Sequence, residues 1–158
     1  MLMRYKEETP AEVAGFVEAC RDALDAPAGV EVDLDWSSYA GKRRQLPWFI
    51  LSALLLAQSG VRIFMHGTEG HTPGRMYTRE TLEMMGLPVA TDLNEAARHI
   101  GATNFGYVPL EGLSPVLSDI IALRPIPGLR PPVHTLPRTT THPAAPPTAH
   151  GVCPPTSP

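Results

Sequence analysis

The stretch Pro47-Trp48-Phe49-Ile50-Leu51-Ser52-Ala53-Leu54-Leu55-Leu56-Ala57-Gln58-Ser59-Gly60-Val61-Arg62-Ile63-Phe64-Met65-His66-Gly67 decides the fold. Pro47 suits the first position of a helix, and Gly60 is placed to end it. Trp48 to Ala57 is apolar on nearly every side, which predicts a buried helix. Val61 to Met65 then reads as a short strand. Upstream, Val30, Val32 and Leu34 alternate with Glu31, Asp33 and Asp35, predicting a strand with one apolar face. Asp33 and Asp35 fall on its polar side. Trp36 to Leu46 reads as a polar loop, and Phe105 to Pro109 as a third strand.

Helices are predicted around these strands. Thr9-Pro10-Ala11-Glu12 is a capping box that opens one, continued by Val13, Phe16, Val17, Cys20 and Leu24. Thr78 to Met85 is a short helix stopped by Gly86 and Pro88. Asp92-Leu93-Asn94-Glu95 is another capping box, and its helix ends near Gly101. Ser114-Pro115 opens a last helix that ends at Leu123. Strands alternating with helices predict an α/β fold with a parallel sheet. Ligands of such sheets sit beyond the C-terminal strand ends.

The chain has 158 residues and a formal charge of −3, which argues against a uniformly basic nucleic-acid binder but permits a local basic patch. Cys20 and Cys153 give neither a disulfide framework nor metal-ligand spacing, so a reducing, cytoplasmic setting is expected. The longest apolar run is roughly half of what a membrane span needs. No signal peptide is expected behind Met1 to Lys6. Most of the 18 prolines fall in residues 125–158, which predicts an irregular tail.

Two polar clusters follow the first two strands. Ser37-Ser38-Tyr39-Ala40-Gly41-Lys42-Arg43-Arg44-Gln45 places three cations just before a helix N-terminus. Free N–H groups and the helix dipole favour an anion there, and Lys42, Arg43 and Arg44 add charge-assisted hydrogen bonds to phosphate. The plainer reading is a solvated loop. His66-Gly67-Thr68-Glu69-Gly70-His71-Thr72-Pro73-Gly74-Arg75 combines small residues with His66, His71 and Arg75, groups that contact phosphate, a base or a carboxylate. Its plainer reading is a turn-rich connector. His66, His71 and Glu69 are too few for a convincing zinc site. No nucleophile elbow, Walker loop or dinucleotide fingerprint is present.

Met3-Arg4-Tyr5-Lys6-Glu7-Glu8-Thr9-Pro10-Ala11-Glu12 resembles the M-K-G-E-T-P-E-E segment of anthranilate phosphoribosyltransferases. Val61 to Gly67 resembles the strand leading into their K-H-G-N motif. Asp33 to Trp48 is similar to a divergent branch, labelled glycosyl transferase family proteins, in which some members are described as DNA-binding. The resemblance covers roughly residues 3–136. It implies a helical domain, through which the family dimerises, and a larger α/β domain. Residues 1–28 then correspond to a remnant of the helical domain, residues 29–124 to part of the phosphoribosyltransferase-like domain, and residues 125–158 to the tail.

Departures from the family pattern shape the functional expectation. The family's G-T-G-G-D cradle for phosphoribosyl pyrophosphate is replaced by Asp35-Trp36-Ser37-Ser38-Tyr39, where Trp36 and Tyr39 would crowd a pyrophosphate. The K-H-G-N motif reads Met65-His66-Gly67-Thr68, so only His66 and Gly67 carry over. The family's magnesium-holding carboxylates are expected beyond residue 158. The sequence therefore reads as an incomplete copy without catalytic residues or metal site. Its expected role is binding of nucleic acid or a phosphorylated small molecule through Lys42, Arg43, Arg44, His66, Gly67, Thr68, His71 and Arg75, with Arg62 and Arg79 near the same sheet edge. The alternatives are a transferase using phosphoribosyl pyrophosphate and magnesium, and a remnant without function. A homodimer through the helical segment is also expected.

Overall fold

A computed structural model describes residues 9–22, 24, 31–38, 46–69 and 74–122. The order is α1 (Pro10–Asp22), β1 (Leu34–Ser38), α2 (Phe49–Gln58), β2 (Ile63–Gly67), α3 (Thr78–Met84), α4 (Leu93–Thr103), β3 (Phe105–Pro109), α5 (Leu110–Leu113) and α6 (Pro115–Ala122). The three strands form one parallel sheet in the order β1-β2-β3. This is the α/β class that the alternation of elements predicts.

Every residue of β2 is buried, as is every residue of β3. Successive side chains of a strand point to opposite faces, so both faces of the sheet must be covered. On one face Ile63, Met65, Phe105 and Tyr107 pack with Ile50, Ala53 and Ala57 of α2 and Leu82 of α3. On the other, Phe64 and Val108 pack with Leu93, Ala96 and Ile100 of α4, and with Leu113, Leu117 and Ile121. Phe16, Cys20 and Leu24 join this second cluster, so the first helix rests on the α/β core. Gly106 permits that packing, because a Cβ there would lie 2.7 Å from the Ala96 carbonyl oxygen and 2.9 Å from Ile100 Cγ1.

The caps explain where helices begin. Thr9 and Glu12 form the expected reciprocal box: Glu12 N–H donates to Thr9 Oγ1 and Thr9 N–H donates to Glu12 Oε2. Asp92 Oδ1 accepts the Glu95 N–H at 2.8 Å, while Glu95 reaches back to Thr91 instead of Asp92. Asn104, the left-handed residue that ends α4, joins three elements. Its Nδ2 donates to Ala57 of α2, and its carbonyl accepts the Ile63 N–H that starts β2.

Two expectations need correction. The first strand lies later than the alternation suggests, at Leu34–Ser38, so Trp36 belongs to the sheet and not to a loop. Asp33 stands at a bend just before the strand. Its carboxylate accepts the Arg62 N–H at 2.8 Å and grips the Arg62 guanidinium, which also reaches Glu31. The bend at Asp33 sends Val32 to one core cluster and Leu34 to the other. Asp33 and Asp35 therefore share no polar face: Asp33 is exposed and Asp35 is buried. Second, α2 is not buried all round. Ile50, Ala53 and Ala57 face the sheet, whereas Trp48, Leu51 and Leu55 are exposed, Trp48 at 63%.

Hydrogen bonding from Arg62, first through its side chain and then its backbone, lowers the Asp33 pKa from 3.8 to about 2. A lowered folded-state value means stabilisation that is complete above the unfolded value and is lost as pH falls toward the folded one. Acid unfolding should therefore show a component between pH 3.8 and about 2 that Asp33→Asn removes. The pair is solvent-exposed, so added salt should shrink the difference. Identical acid limbs for the two proteins would mean that the clamp contributes nothing to stability.

Candidate functional site

The C-terminal strand ends are Ser38, Gly67 and Pro109, side by side in register. Ser38 Oγ accepts a hydrogen bond from Thr78 Oγ1 at 3.0 Å, in a buried contact that ties β1 to the start of α3. Gly67 lies directly against Ser38. A Cβ at Gly67 would collide with Ser38 Oγ and come within 3.0 Å of its carbonyl oxygen. A glycine is therefore needed for β1 and β2 to finish together.

His66 is turned inward. Its Nε2 lies 3.2 Å from Asp35 Oδ1, and both side chains are 2% exposed. Asp35 stands opposite Phe64 in the sheet register, and the His66 ring stacks on Phe64 with centroids 5.6 Å apart. His66 Nδ1 is buried without a hydrogen-bond partner among the described residues. His66 thus closes the sheet face and presents almost no surface to a phosphate in this conformation. Asp35 looks from sequence like half of a polar face, and only the strand register reveals its pairing with His66. Removing one member of a buried pair leaves the other without its partner.

Acidic side chains dominate the β2–β3 edge. The Tyr107 hydroxyl donates to Glu69 Oε1 at 2.8 Å. Arg79 Nη1 donates to Glu69 Oε2 at 3.3 Å and to Glu111 Oε1 at 2.8 Å. Glu83 lies one helical turn along α3, 3.7 Å from Arg79 Nε. Burial raises the Glu69 pKa, opposed by the Tyr107 hydrogen bond and the Arg79 charge. Burial, then the Glu69 carboxylate, pushes the Tyr107 phenol upward. For Arg79, burial works against the charge, but the carboxylates outweigh it and the net shift is upward.

The expected cation set does not gather at one edge. Arg62 precedes β2 and is paired with Glu31 and Asp33, so it sits at the opposite end of the sheet. Arg79 is at the expected edge but is surrounded by carboxylates. Arg75 is exposed and has no ion pair among the described residues. Thr68 is half-buried just past β2. Lys42, Arg43, Arg44, Tyr39 and His71 lie outside the described residues. Trp36 does not project from the strand end to crowd a ligand, but packs on Phe49 with ring centroids 6.0 Å apart.

The start of α2 also differs from expectation. Its cap, Trp48, makes no side-chain capping bond. The N–H groups of Trp48, Ile50 and Leu51 already donate to Leu46, Pro47 and Trp48 carbonyls. These donors are engaged within the turn, which leaves the helix dipole and the exposed Trp48 ring as the features of this terminus.

The parallel sheet, its crossover helices and its adjacent C-terminal strand ends define an α/β unit. No family model matches the chain. It is 30% identical over 142 residues to the uncharacterized protein YbiB of Escherichia coli (strain K12), covering 88% of this chain and 44% of that protein. It is 28% identical over 134 residues to anthranilate phosphoribosyltransferase of Desulfitobacterium hafniense (strain Y51), covering 81% of this chain and 38% of that protein. The crystal structure of anthranilate phosphoribosyltransferase (TrpD) from Thermus thermophilus superposes with a TM-score of 0.70 at 20% identity, covering 88% of this chain and 43% of that one. These likenesses in sequence and fold support a phosphoribosyltransferase-like family for the chain. It spans less than half the length of these relatives. Among the described residues, no helix is long and apolar enough to cross a membrane.

A double-mutant cycle tests the inward-facing pair. His66→Ala and Asp35→Ala should each destabilise the fold, and the double variant should lose less than the sum by about 0.5–3 kcal/mol in urea unfolding. Strict additivity would show that the two side chains are neighbours without energetic coupling.

Proposed function

We propose that this chain binds nucleic acid, or another phosphate-bearing ligand, without sequence preference and without catalysing sugar transfer. The observation that carries the reading is Trp48, which is 63% exposed at the start of α2. It follows Lys42, Arg43 and Arg44 by a few residues. In the sequence that basic segment lies between Ser38, the end of β1, and Leu46, just before α2. A run of cations a few residues before an exposed aromatic ring suits a single strand, because cations contact the backbone and a ring stacks on any base. Arg75, after β2, is a further exposed cation.

Three features weigh against a transferase. At the end of β1, near where the family has its glycine-rich cradle, the Ser38 hydroxyl is engaged with Thr78. His66 is packed against Asp35. The carboxylates of the β2–β3 edge repel a pyrophosphate.

Fluorescence anisotropy with a labelled single-stranded oligonucleotide checks this reading. Binding should weaken steeply with salt, and replacing Lys42, Arg43 and Arg44 together by Ala should lower affinity and flatten the slope by about two units of log K against log salt, at about 0.7 per phosphate contact. An unchanged slope in the triple variant removes the basic segment from the interface. A melting-temperature rise with phosphoribosyl pyrophosphate, absent with inorganic pyrophosphate, would favour the transferase instead.

A further inference from the structure

Arg79 occupies the meeting point of three carboxylates from three parts of the chain. Glu69 follows β2, Glu83 is on α3, and Glu111 is at the start of α5. One guanidinium nitrogen serves both Glu69, at 3.3 Å, and Glu111, at 2.8 Å, while Nε faces Glu83 at 3.7 Å. The second oxygen of Glu69 is held by the Tyr107 hydroxyl. Glu69 is 15% exposed, so its charge is poorly solvated and depends on this guanidinium and phenol.

The family resemblance implies magnesium, and the residues present do not fit it. Magnesium demands near-octahedral oxygen ligands at about 2.0–2.1 Å. The carboxylates of this edge are arranged around a planar guanidinium instead, and Asp35 faces His66 inside the sheet. Among the described residues, no three His, Cys, Asp or Glu side chains are grouped to hold a metal. We propose that Arg79 is the resident cation of the β2–β3 edge, a fixed positive charge in place of a bound divalent ion, so that this edge takes up no divalent metal and binding of a phosphate-bearing ligand elsewhere on the chain requires none. Arg79 is a positioning residue in this account. It holds the segment after β2, helix α3 and the β3–α5 turn in one arrangement.

The test is thermal unfolding of the full chain, without ligand, in magnesium chloride and in sodium chloride of equal ionic strength. The wild-type protein should melt at the same temperature in both. Arg79→Met leaves three carboxylates without their cation, and magnesium as a diffuse counter-ion of exposed Glu83 and Glu111 should then raise its melting temperature above the sodium value. Arg79→Lys keeps one charge but loses the fork, so it should show a smaller magnesium response and serves if the methionine variant does not fold. A magnesium-specific rise in the wild type, or none in either variant, overturns the proposal. A second arm, which rests on the nucleic-acid reading, compares oligonucleotide affinity in magnesium and in EDTA at matched ionic strength. The two should agree within about twofold, and a loss of about tenfold in EDTA would overturn metal independence. If no oligonucleotide binds, the nucleic-acid reading fails, while the melting comparison still decides the role of Arg79.

Discussion

Burial of β2 on both faces is the constraint on which the rest of the structure depends. All five of its residues are inaccessible, with Ile63 and Met65 facing α2 and Phe64 and His66 facing the α4 side. A strand in that position tolerates a polar side chain only with a partner. The partner of His66 is Asp35, delivered by the parallel register of β1. The same register brings Ser38 against Gly67 and closes the strand ends to within van der Waals distance. The core thus determines which polar groups remain at the surface.

What remains is asymmetric in charge. The β3 side carries Glu69, Glu83 and Glu111 around Arg79. The segment between β1 and α2 carries Lys42, Arg43 and Arg44 and leads to exposed Trp48. On the proposed reading, the basic segment attracts a phosphate-bearing ligand and the carboxylates repel it, a contrast that a net charge of −3 conceals. Arg62, committed to Glu31 and Asp33 at the far end of the sheet, contributes to neither side.

Local signals were readable in the sequence where local physics decides the outcome. β3 begins and ends where its apolar run does, and the Thr9–Glu12 and Asp92–Glu95 pairs cap helices as their spacing predicts. The failures occurred where partners distant in sequence decide. Trp36, Ser37 and Ser38 have a loop-like composition, yet pairing with β2 makes them a strand. The apolar run of α2 reads as buried, but a single sheet face covers only the Ile50, Ala53 and Ala57 side. The Asp35–His66 and Arg79–Glu111 contacts join residues 31 and 32 positions apart, and no periodicity announces either. The H-G pair at His66 and Gly67 was legible as a family feature, whereas the inward turn of the imidazole was not.

Trp48 and the basic segment before it are the proposed binding surface. The most direct measurement uses Trp36→Phe, which leaves Trp48 as the sole tryptophan, and follows its emission during titration with a single-stranded oligonucleotide. Stacking of bases on the exposed ring predicts saturable quenching that salt reverses. Emission that stays constant while anisotropy reports binding would place the ligand elsewhere and contradict the account.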